Sequence, residues 1–226
     1  MHTGPSRLAI VRLGVDVPFE QAWQLQRTVH AQRVAGEVTD TVLFLEHAPV
    51  YTAGRRTAGH ERPADGTPVV DVDRGGRITW HGPGQLVAYP IMRVTDARDY
   101  VGRLEETMIQ VCADFGVTAR RILGRAGVWA TGDAALGLPD RQLGAVGVRL
   151  VKGVSMHGMA LNCANDPRWF NRIDPCGIAG AGVSSLSAET GRRIVVDEVM
   201  PIAEKRLAEM LGREPYEMHE EDLRRV

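Results

Sequence analysis

The most informative stretch of this chain reads Arg74-Gly75-Gly76-Arg77-Ile78-Thr79-Trp80-His81-Gly82-Pro83-Gly84-Gln85. Segments 69–72 and 86–91 on either side are apolar, and we predict that both are strands. The glycines and the proline permit close backbone approach and φ values that other residues resist. The polar side chains among them are costly to bury unless they meet partners. Because a loop that only joined two strands would be shorter, we interpret this glycine-rich run as a ligand-holding surface rather than an ordinary hairpin.

Hydrophobic periodicity predicts alternating strands and helices on both sides of the run. The predicted strands are 7–13, 41–45, 128–131, 143–150 and 154–162, and the predicted helices are 18–34, 99–115 and 197–211, the last capped by Asp197. We expect a mobile loop at 52–68, a turn at 132–141 and a weakly specified tail at 215–226. The pattern favours a single α/β (α+β) domain over 1–226, with a mixed sheet flanked by helices.

Length, charge and cysteine content narrow the class of protein. The chain has 226 residues and a net charge of −1, which suits one domain and makes no electrostatic case for nucleic acid or an anionic membrane. We see no signal peptide and no apolar run of membrane-spanning length. The three cysteines are too few and too scattered for a disulfide framework or a zinc site. We therefore expect a cytoplasmic, monomeric protein with reduced thiols and without metal or cofactor.

The motifs of the chain resemble those of one family. The common phosphate-loop patterns are absent from the glycine-rich run. The run instead resembles the signature of the lipoyl(octanoyl) transferases, R-G-G-x-x-T-x-H-G-P-G-Q, and fills each fixed position. Pro175-Cys176-Gly177-Ile178 resembles the motif around the nucleophile of that family, and segments 143–149 and 157–162 also fit. The resemblance extends from Leu8 to Leu211.

The resemblance implies a biotin/lipoate-protein-ligase-like fold and an acyl transfer. In such enzymes an octanoyl group passes from octanoyl-acyl carrier protein to a lysine of a lipoyl domain. The implied acceptors are the lipoyl domains of 2-oxoacid dehydrogenases and the glycine cleavage H protein. A cysteine thiolate attacks the thioester, and the target amine then resolves the acyl-enzyme.

Cys176 is the predicted nucleophile. It lies in Asp174-Pro175-Cys176-Gly177, a segment that cannot be the middle of a helix or strand, and a cysteine in such a loop is accessible to a ligand. Cys112 lies on the apolar stripe of a predicted helix and Cys163 ends a predicted strand, so both are expected in or near the core.

Gln142 is the second predicted catalytic position, and it departs from the family pattern. The resemblance implies a lysine there, beside the thiol, but glutamine carries no charge and transfers no proton near neutral pH. Its amide still donates a hydrogen bond. Arg141 is always protonated and points to the opposite face of a strand, while Lys152 lies beyond that strand. An engineered substitution, a naturally impaired homologue and a base recruited from elsewhere all remain open; we interpret the chain as impaired chemistry in an intact fold.

Histidines and glycines supply further candidates. His81 and His157 are candidate acid/base groups, although a lone histidine is more often structural; His47 is a weaker candidate. Backbone amides of Gly147, Gly158 and Gly177 are candidate oxyanion donors.

We predict one pocket with an apolar floor next to Cys176, where each buried methylene of an acyl chain contributes ~0.8 kcal/mol. The predicted substrate-binding residues are Arg74, Gly75, Gly76, Arg77, Ile78, Thr79, Trp80, His81, Ala145, Val146, Gly147, His157, Gly158, Met159 and Ala160. A basic rim, favourable for an acidic carrier protein but also typical of any solvated face, is predicted from Arg55, Arg56, Arg74, Arg77, Arg149, Lys152, Arg168 and Arg172.

Three other functions remain open from the sequence. An ATP-dependent lipoate-protein ligase shares the implied fold, but its motif tends to have three glycines followed by His-Asp. A Cys–His hydrolase would pair Cys176 with His81 or His157 and use water as acceptor. A non-catalytic acyl-binding homologue is made credible by Gln142.

Overall fold

The computed structural model describes residues 6–132, 135, 137–173 and 182–223. Its strands are β1 (Arg7–Val17), β2 (Asp40–His47), β3 (Val50–Ala53), β4 (Val69–Asp71), β5 (Ile78–His81), β6 (Gln85–Ile91), β7 (Ala119–Ile122), β8 (Arg125–Ala130), β9 (Arg141–Val151), β10 (Val154–Asn162), β11 (Gly182–Val183) and β12 (Glu214–Glu217). Its helices are α1 (Phe19–Ala35), α2 (Ala97–Asp114), α3 (Leu186–Thr190), α4 (Val196–Leu211) and α5 (Glu220–Leu223), with short 3₁₀ segments at Gly59–Glu61 and Pro167–Arg172.

The strands form a large mixed sheet and a small one. The large sheet has the order β12-β1-β2-β6-β10-β9-β8-β7, and β11 pairs with β9 beside this path. The pairs of β1 with β12 and β2, and of β9 with β11, are parallel, and the others are antiparallel. The small sheet has the order β4-β3-β5. In the small sheet, β4 precedes the glycine-rich run and β5 lies within it.

Helices cover both faces of the large sheet. The strands β6 and β10 are buried along their whole length, as expected for strands that are covered on both faces. Leu104 and Met108 of α2 and Leu207 of α4 belong to the cluster on one face, and Leu25 and Val29 of α1 belong to the cluster on the other. No helix within the described ranges is long and apolar enough to cross a membrane.

A two-residue turn fixes the register of β9 and β10. Lys152 and Gly153 have φ values of 52° and 74°, the left-handed pair that suits the twist of a tight hairpin. The register that follows places Gly147 directly opposite Gly158. Two positions without side chains therefore meet in the middle of the sheet.

The ladder between β6 and β10 stops next to these glycines. Pro90 of β6 has no N–H to donate, and its carbonyl instead accepts a hydrogen bond from the Ser155 hydroxyl at 2.8 Å. His157 has a φ of 57°, and its N–H donates to Oε1 of Gln26 at 2.8 Å. A bend at His157 thus satisfies the backbone where Pro90 interrupts the sheet.

The predicted strands and helices are confirmed, with differences where sequence periodicity is weak. Hydrophobic patterning did not predict β3, β5, β7, β11 or β12. Residues 52–53 belong to β3 rather than to a loop, and Val195, not Asp197, caps α4. The tail, predicted to be weakly specified, contributes β12 to the sheet edge and buries Leu223. Cys112 and Cys163 are fully buried, as predicted.

Candidate active site

A cavity of about 330 Å³ lies where the glycine-rich run, β9 and β10 meet. This volume is at the lower end of the range for small-molecule pockets. Every predicted substrate-binding residue lines it except Gly75 and Trp80, and Gln142 lines it too. The structure therefore brings together residues that are up to 86 positions apart, from Arg74 to Ala160. Whether they bind substrate stays a prediction.

Arg74 lies beneath the glycine-rich run rather than on a rim. It is only 8% exposed. Its guanidinium donates to the carbonyl oxygens of Gly75, Arg77 and Thr52 and to the Thr52 hydroxyl, at 2.9–3.0 Å. The prediction that Arg74 belongs to an exposed basic rim is therefore wrong. Its charge instead holds the backbone of the run in place, because hydrogen bonds from a cation are stronger than neutral ones.

Gly75 and Trp80 do not line the cavity. Gly75 attaches the glycine-rich run to β9, and Trp80 packs against other aromatic rings. The N–H of Gly75 donates to the carbonyl of Val148 at 2.9 Å and so ties the run to β9. The Trp80 ring stacks on Trp169 with 5.7 Å between centroids and contacts Phe170 edge-on. We conclude that Trp80 stabilises the small sheet and does not line the cavity.

The hydrogen bonds around His81 determine its tautomer. The Gln85 side chain donates through Nε2 to Oδ1 of Asn162 at 2.9 Å, so its Oε1 is an acceptor. Nδ1 of His81 lies 2.7 Å from that oxygen and must therefore carry the hydrogen. Nε2 of His81 is left with a lone pair. Burial, with the nearby His47, lowers the pKa of His81 to about 3, so the ring is neutral at physiological pH.

His47 and Tyr89 lie beside His81 and form a second fixed pair. Nδ1 of His47 donates to the carbonyl of Val17 at 2.9 Å, so its Nε2 accepts from the Tyr89 hydroxyl at 2.7 Å. The His47 and His81 rings are 5.7 Å apart. Burial lowers the pKa of His47 to about 4. This arrangement leaves His47 with no lone pair for proton transfer and indicates a structural role.

His157 is held by a carboxylate on one edge of its ring. Nε2 donates to Oδ1 of Asp73 at 2.8 Å, and the other oxygen of Asp73 pairs with Arg149. Burial, together with the charges of Arg74 and Arg149, lowers the pKa of His157 to about 3. His157 therefore enters the cavity as a neutral ring.

Gln142 occupies the position that the family resemblance gives to a lysine. It lies on β9 opposite Trp129, is 5% exposed and lines the cavity. Its Nε2 donates to the carbonyl of Ala126 at 3.3 Å. Arg141 forms an ion pair with Glu189 at 2.9 Å and does not line the cavity, as the alternation of a strand predicts.

Cys176 and Gly177 lie outside the described residues, so the structure does not test their predicted roles. The described chain that follows them does return beside Gln142. Val183 of β11 pairs with Gln142 in parallel register, and the N–H of Ser184 donates to the carbonyl of Gln142 at 3.0 Å.

Several lining residues were missed by the sequence reasoning. They are Phe19, Tyr89, Gly124, Arg125 and Ala126. Tyr89 was detectable as the single phenol in an otherwise apolar strand. No local signal marks 124–126, because that turn reaches the cavity only through the pairing of β8 with β9.

Comparisons with known proteins identify the family of this chain. The family model of the lipoyl protein ligase A/B catalytic domain matches residues 18–208. An octanoyltransferase of Acidothermus cellulolyticus is 57% identical over 207 residues, which are 90% of this chain and 92% of that protein. An octanoyltransferase of Thermobifida fusca is 53% identical over 205 residues, covering 88% of this chain and 87% of that protein.

Solved structures share the fold at low sequence identity. A bipartite lipoate protein ligase of Thermoplasma acidophilum superposes with a TM-score of 0.71 at 14% identity, over 97% of this chain and 91% of that one. A biotin protein ligase of Aquifex aeolicus in complex with biotin and ATP gives a TM-score of 0.52 at 14% identity, over 91% and 70%. These likenesses confirm the predicted biotin/lipoate-protein-ligase-like fold.

Proposed function

This chain belongs to the lipoyl protein ligase A/B catalytic-domain family, and we propose that it carries out its reaction through an acyl group held on Cys176. It is an acyltransferase that transfers octanoyl groups in lipoate biosynthesis, the activity for which relatives 57% and 53% identical to it are named. The observation that carries the proposal is the convergence of the glycine-rich run, β9 and β10 on one cavity. The donor is octanoyl-acyl carrier protein, and the acceptors are the lipoyl domains of 2-oxoacid dehydrogenases and the glycine cleavage H protein.

The transfer proceeds in two balanced steps. The Cys176 thiolate attacks the thioester carbonyl, a new C–S bond forms, and the carrier's pantetheine thiolate leaves and takes up a proton. The lysine amine of the acceptor then attacks the acyl-enzyme. An amide forms, the amine loses a proton, and the Cys176 thiol is released.

The cavity offers an apolar floor for the acyl chain. Ile78, Val146, Met159 and Ala160 contribute carbon atoms to its lining. Burying the methylenes of an octanoyl chain there contributes about 0.8 kcal/mol each. Gly147 and Gly158 permit close packing of this wall, because a Cβ atom at Gly147 would lie 3.1 Å from the Gly75 carbonyl oxygen and one at Gly158 would overlap the Ala88 carbonyl oxygen.

Gln142 weakens the proton transfers of both steps. A lysine at this buried position would place a cation and a base beside the thiol, whereas the amide supplies only a hydrogen bond. His81 and His157 are the other candidate bases among the described residues, because Nε2 of His81 and Nδ1 of His157 keep a lone pair. We propose slow transfer in a cavity whose binding geometry is intact.

Mass spectrometry of a mixture tests the function. The chain is incubated with octanoyl-acyl carrier protein and a lipoyl domain, and all three proteins are weighed. We expect an octanoylated lipoyl domain and an octanoyl adduct on this chain, and we expect the adduct to be lost in Cys176→Ala. Product formed only with added ATP and magnesium would indicate a ligase instead.

Alkylation of the folded protein tests the choice of cysteine. Burial raises the pKa of Cys112 and of Cys163 to about 12, so neither forms a thiolate near neutral pH. We expect iodoacetamide to label Cys176 alone, and label on Cys112 or Cys163 would contradict this expectation.

A second candidate, binding of the acylated carrier without transfer, is favoured by Gln142 alone. It predicts a stable complex and no octanoylated lipoyl domain in the same mixture. We further propose a cytoplasmic monomer; sedimentation at several concentrations tests the monomer.

A further inference from the structure

Residues 54–57 form a β-turn next to the cavity. The N–H of Thr57 donates to the carbonyl of Gly54 at 3.0 Å, so Arg55 and Arg56 occupy the two corner positions. Both arginines are exposed, and Arg56 lines the cavity. The turn therefore presents two adjacent cations where a ligand enters.

The turn is fixed to the glycine-rich run. The N–H groups of Arg55 and Arg56 donate to the carbonyls of Arg74 and Gly76, both at 3.1 Å. Gly54 permits this approach, because a Cβ atom there would lie 2.6 Å from the Gly76 carbonyl oxygen. Since the backbone is held, a ligand would meet two guanidinium groups whose attachment points are already in place.

These two arginines differ from the other basic residues of the predicted rim. Within the described ranges neither Arg55 nor Arg56 forms an ion pair with a carboxylate. Each of four others does: Arg77 pairs with Glu61, Arg149 with Asp73, Arg168 with Asp166 and Arg172 with Asp65. Apart from Lys152 in the β9–β10 turn, the exposed basic residues of the predicted rim that have no carboxylate partner among the described residues are thus Arg55 and Arg56, which are adjacent in one turn.

We propose that this arginine turn, Gly54–Thr57, binds the phosphodiester of the phosphopantetheine arm that carries the acyl group. This inference rests on the proposed function, which makes a carrier-bound thioester the donor. Of the residues that line the cavity, only Arg56, Gly124 and Ala126 are exposed, which places Arg56 at the side from which an arm would leave when the acyl chain lies in the cavity. Guanidinium groups match a phosphate in both charge and the geometry of their paired donors. An acidic surface of the carrier protein is the alternative ligand.

Binding of an unreactive donor tests the proposal without requiring turnover. The probes are the amide analogue of octanoyl-phosphopantetheine, in which NH replaces the thioester sulfur and the phosphate is a methyl diester, and the same compound without its phosphate. Affinities are measured by calorimetry for the wild type, Arg55→Gln, Arg56→Gln and the double variant. Arg193→Gln is the matched control, because Arg193 is also exposed but does not line the cavity.

We expect the wild type to bind the phosphorylated probe at least about tenfold more tightly than the dephosphorylated probe, which corresponds to 1.4 kcal/mol of binding free energy. The double variant should lose that preference and keep its affinity for the dephosphorylated probe, and Arg193→Gln should behave as wild type. The preference should also fall as salt is raised. Exposed Arg→Gln changes leave stability nearly unchanged, so each variant should unfold at close to the wild-type temperature. Thermal unfolding checks that each variant is folded.

Two results would overturn the proposal. One is equal affinity of the wild type for both probes. The other is a result in which the arginine variants weaken binding of the whole carrier protein but bind the small phosphorylated probe as the wild type does. That result would assign the turn to the carrier's acidic surface. If the wild type transfers no octanoyl group from any donor, the proposed function fails while the phosphate preference is still measured.

Discussion

The two faces of the large sheet differ in what they bury. Under α2 and α4 the contacts come from side chains such as Leu104, Met108 and Leu207, each 0% exposed. Under α1 and the small sheet, three neutral imidazoles and the Tyr89 phenol are buried, and each has a hydrogen-bond partner. Apolar burial stabilises a fold without specifying a ligand, whereas each buried polar group requires a partner in a defined direction.

This difference separates stability from chemistry within one sheet. The face under α2 tolerates changes that keep its volume, because its contacts have no direction. On the cavity face, a change alters the geometry of a network even when volume is kept. Variants on the two faces should therefore give opposite patterns of stability and activity.

The largest effect is expected on the cavity face, at Gln142. Gln142→Lys should raise the octanoyl transfer rate by about 10²–10⁴-fold, because a positioned acid/base group contributes a factor of that size. The same cation should increase the alkylation rate of Cys176 at neutral pH. Single-turnover transfer and the pH dependence of alkylation measure the two effects.

Arg141→Lys is the control for that variant, since its side chain lies on the other face with Glu189. It should change neither rate. If Gln142→Lys also leaves both rates unchanged, residue 142 is not the position of the missing base, and His81→Asn becomes the next variant to measure.

A core truncation on the opposite face should lower stability and leave the chemistry alone. Leu104→Ala removes a fully buried side chain that does not line the cavity, and it should cost about 2–5 kcal/mol of unfolding free energy. The transfer rate per folded molecule should stay at the wild-type value. Urea unfolding and active-site titration give both numbers, and a parallel loss of rate would show that the two faces are coupled.

Two glycines sharpen the comparison further. A Cβ at Gly158 would overlap the Ala88 carbonyl oxygen and lie 2.7 Å from Pro90 Cδ, whereas a Cβ at Gly102 of α2 meets nothing within 4 Å. Gly158→Ala should cost about 1–3 kcal/mol through overpacking against β6. Gly102→Ala should stabilise the protein by about 0.5–1 kcal/mol. Thermal unfolding distinguishes these outcomes, and equal effects of both changes would contradict the model of a crowded cavity wall.

The smallest effect concerns pH. The pKa values of His47, His81 and His157 are lowered to about 4, 3 and 3, so below pH 6.5 the unfolded chain binds protons that the folded chain does not. Stability is therefore full above pH 6.5 and falls as the pH drops towards 4, by up to about 1.4 kcal/mol per pH unit for each ring. Urea unfolding between pH 7.5 and 4.5 measures this slope.

His81→Asn should reduce the slope by the share of one ring. An unchanged slope in His81→Asn would mean that this ring is protonated in the folded protein.

Part of the fold could be predicted from local sequence. The hydrophobic repeat of 99–115 and the alternation of 143–150 and 154–162 predicted α2, β9 and β10, because residues that share a face recur at a fixed spacing. The short strands β3, β5 and β12 escaped prediction since their residues take strand form only by pairing with distant partners, as Tyr216 does with Ala9.

The motifs of the chain predicted by themselves that the glycine-rich run, β9 and β10 meet at one cavity, because polar residues set among glycines seldom serve only to connect strands. They did not determine what each residue does there. Only the tertiary structure decided that Arg74 is buried under the run, that Trp80 packs away from the cavity, and that Arg55 and Arg56 meet no carboxylate in the part of the chain that the structure describes. The reason is physical: burial and ion pairing depend on neighbours that are distant in the chain, and those neighbours are fixed only when the sheets are assembled.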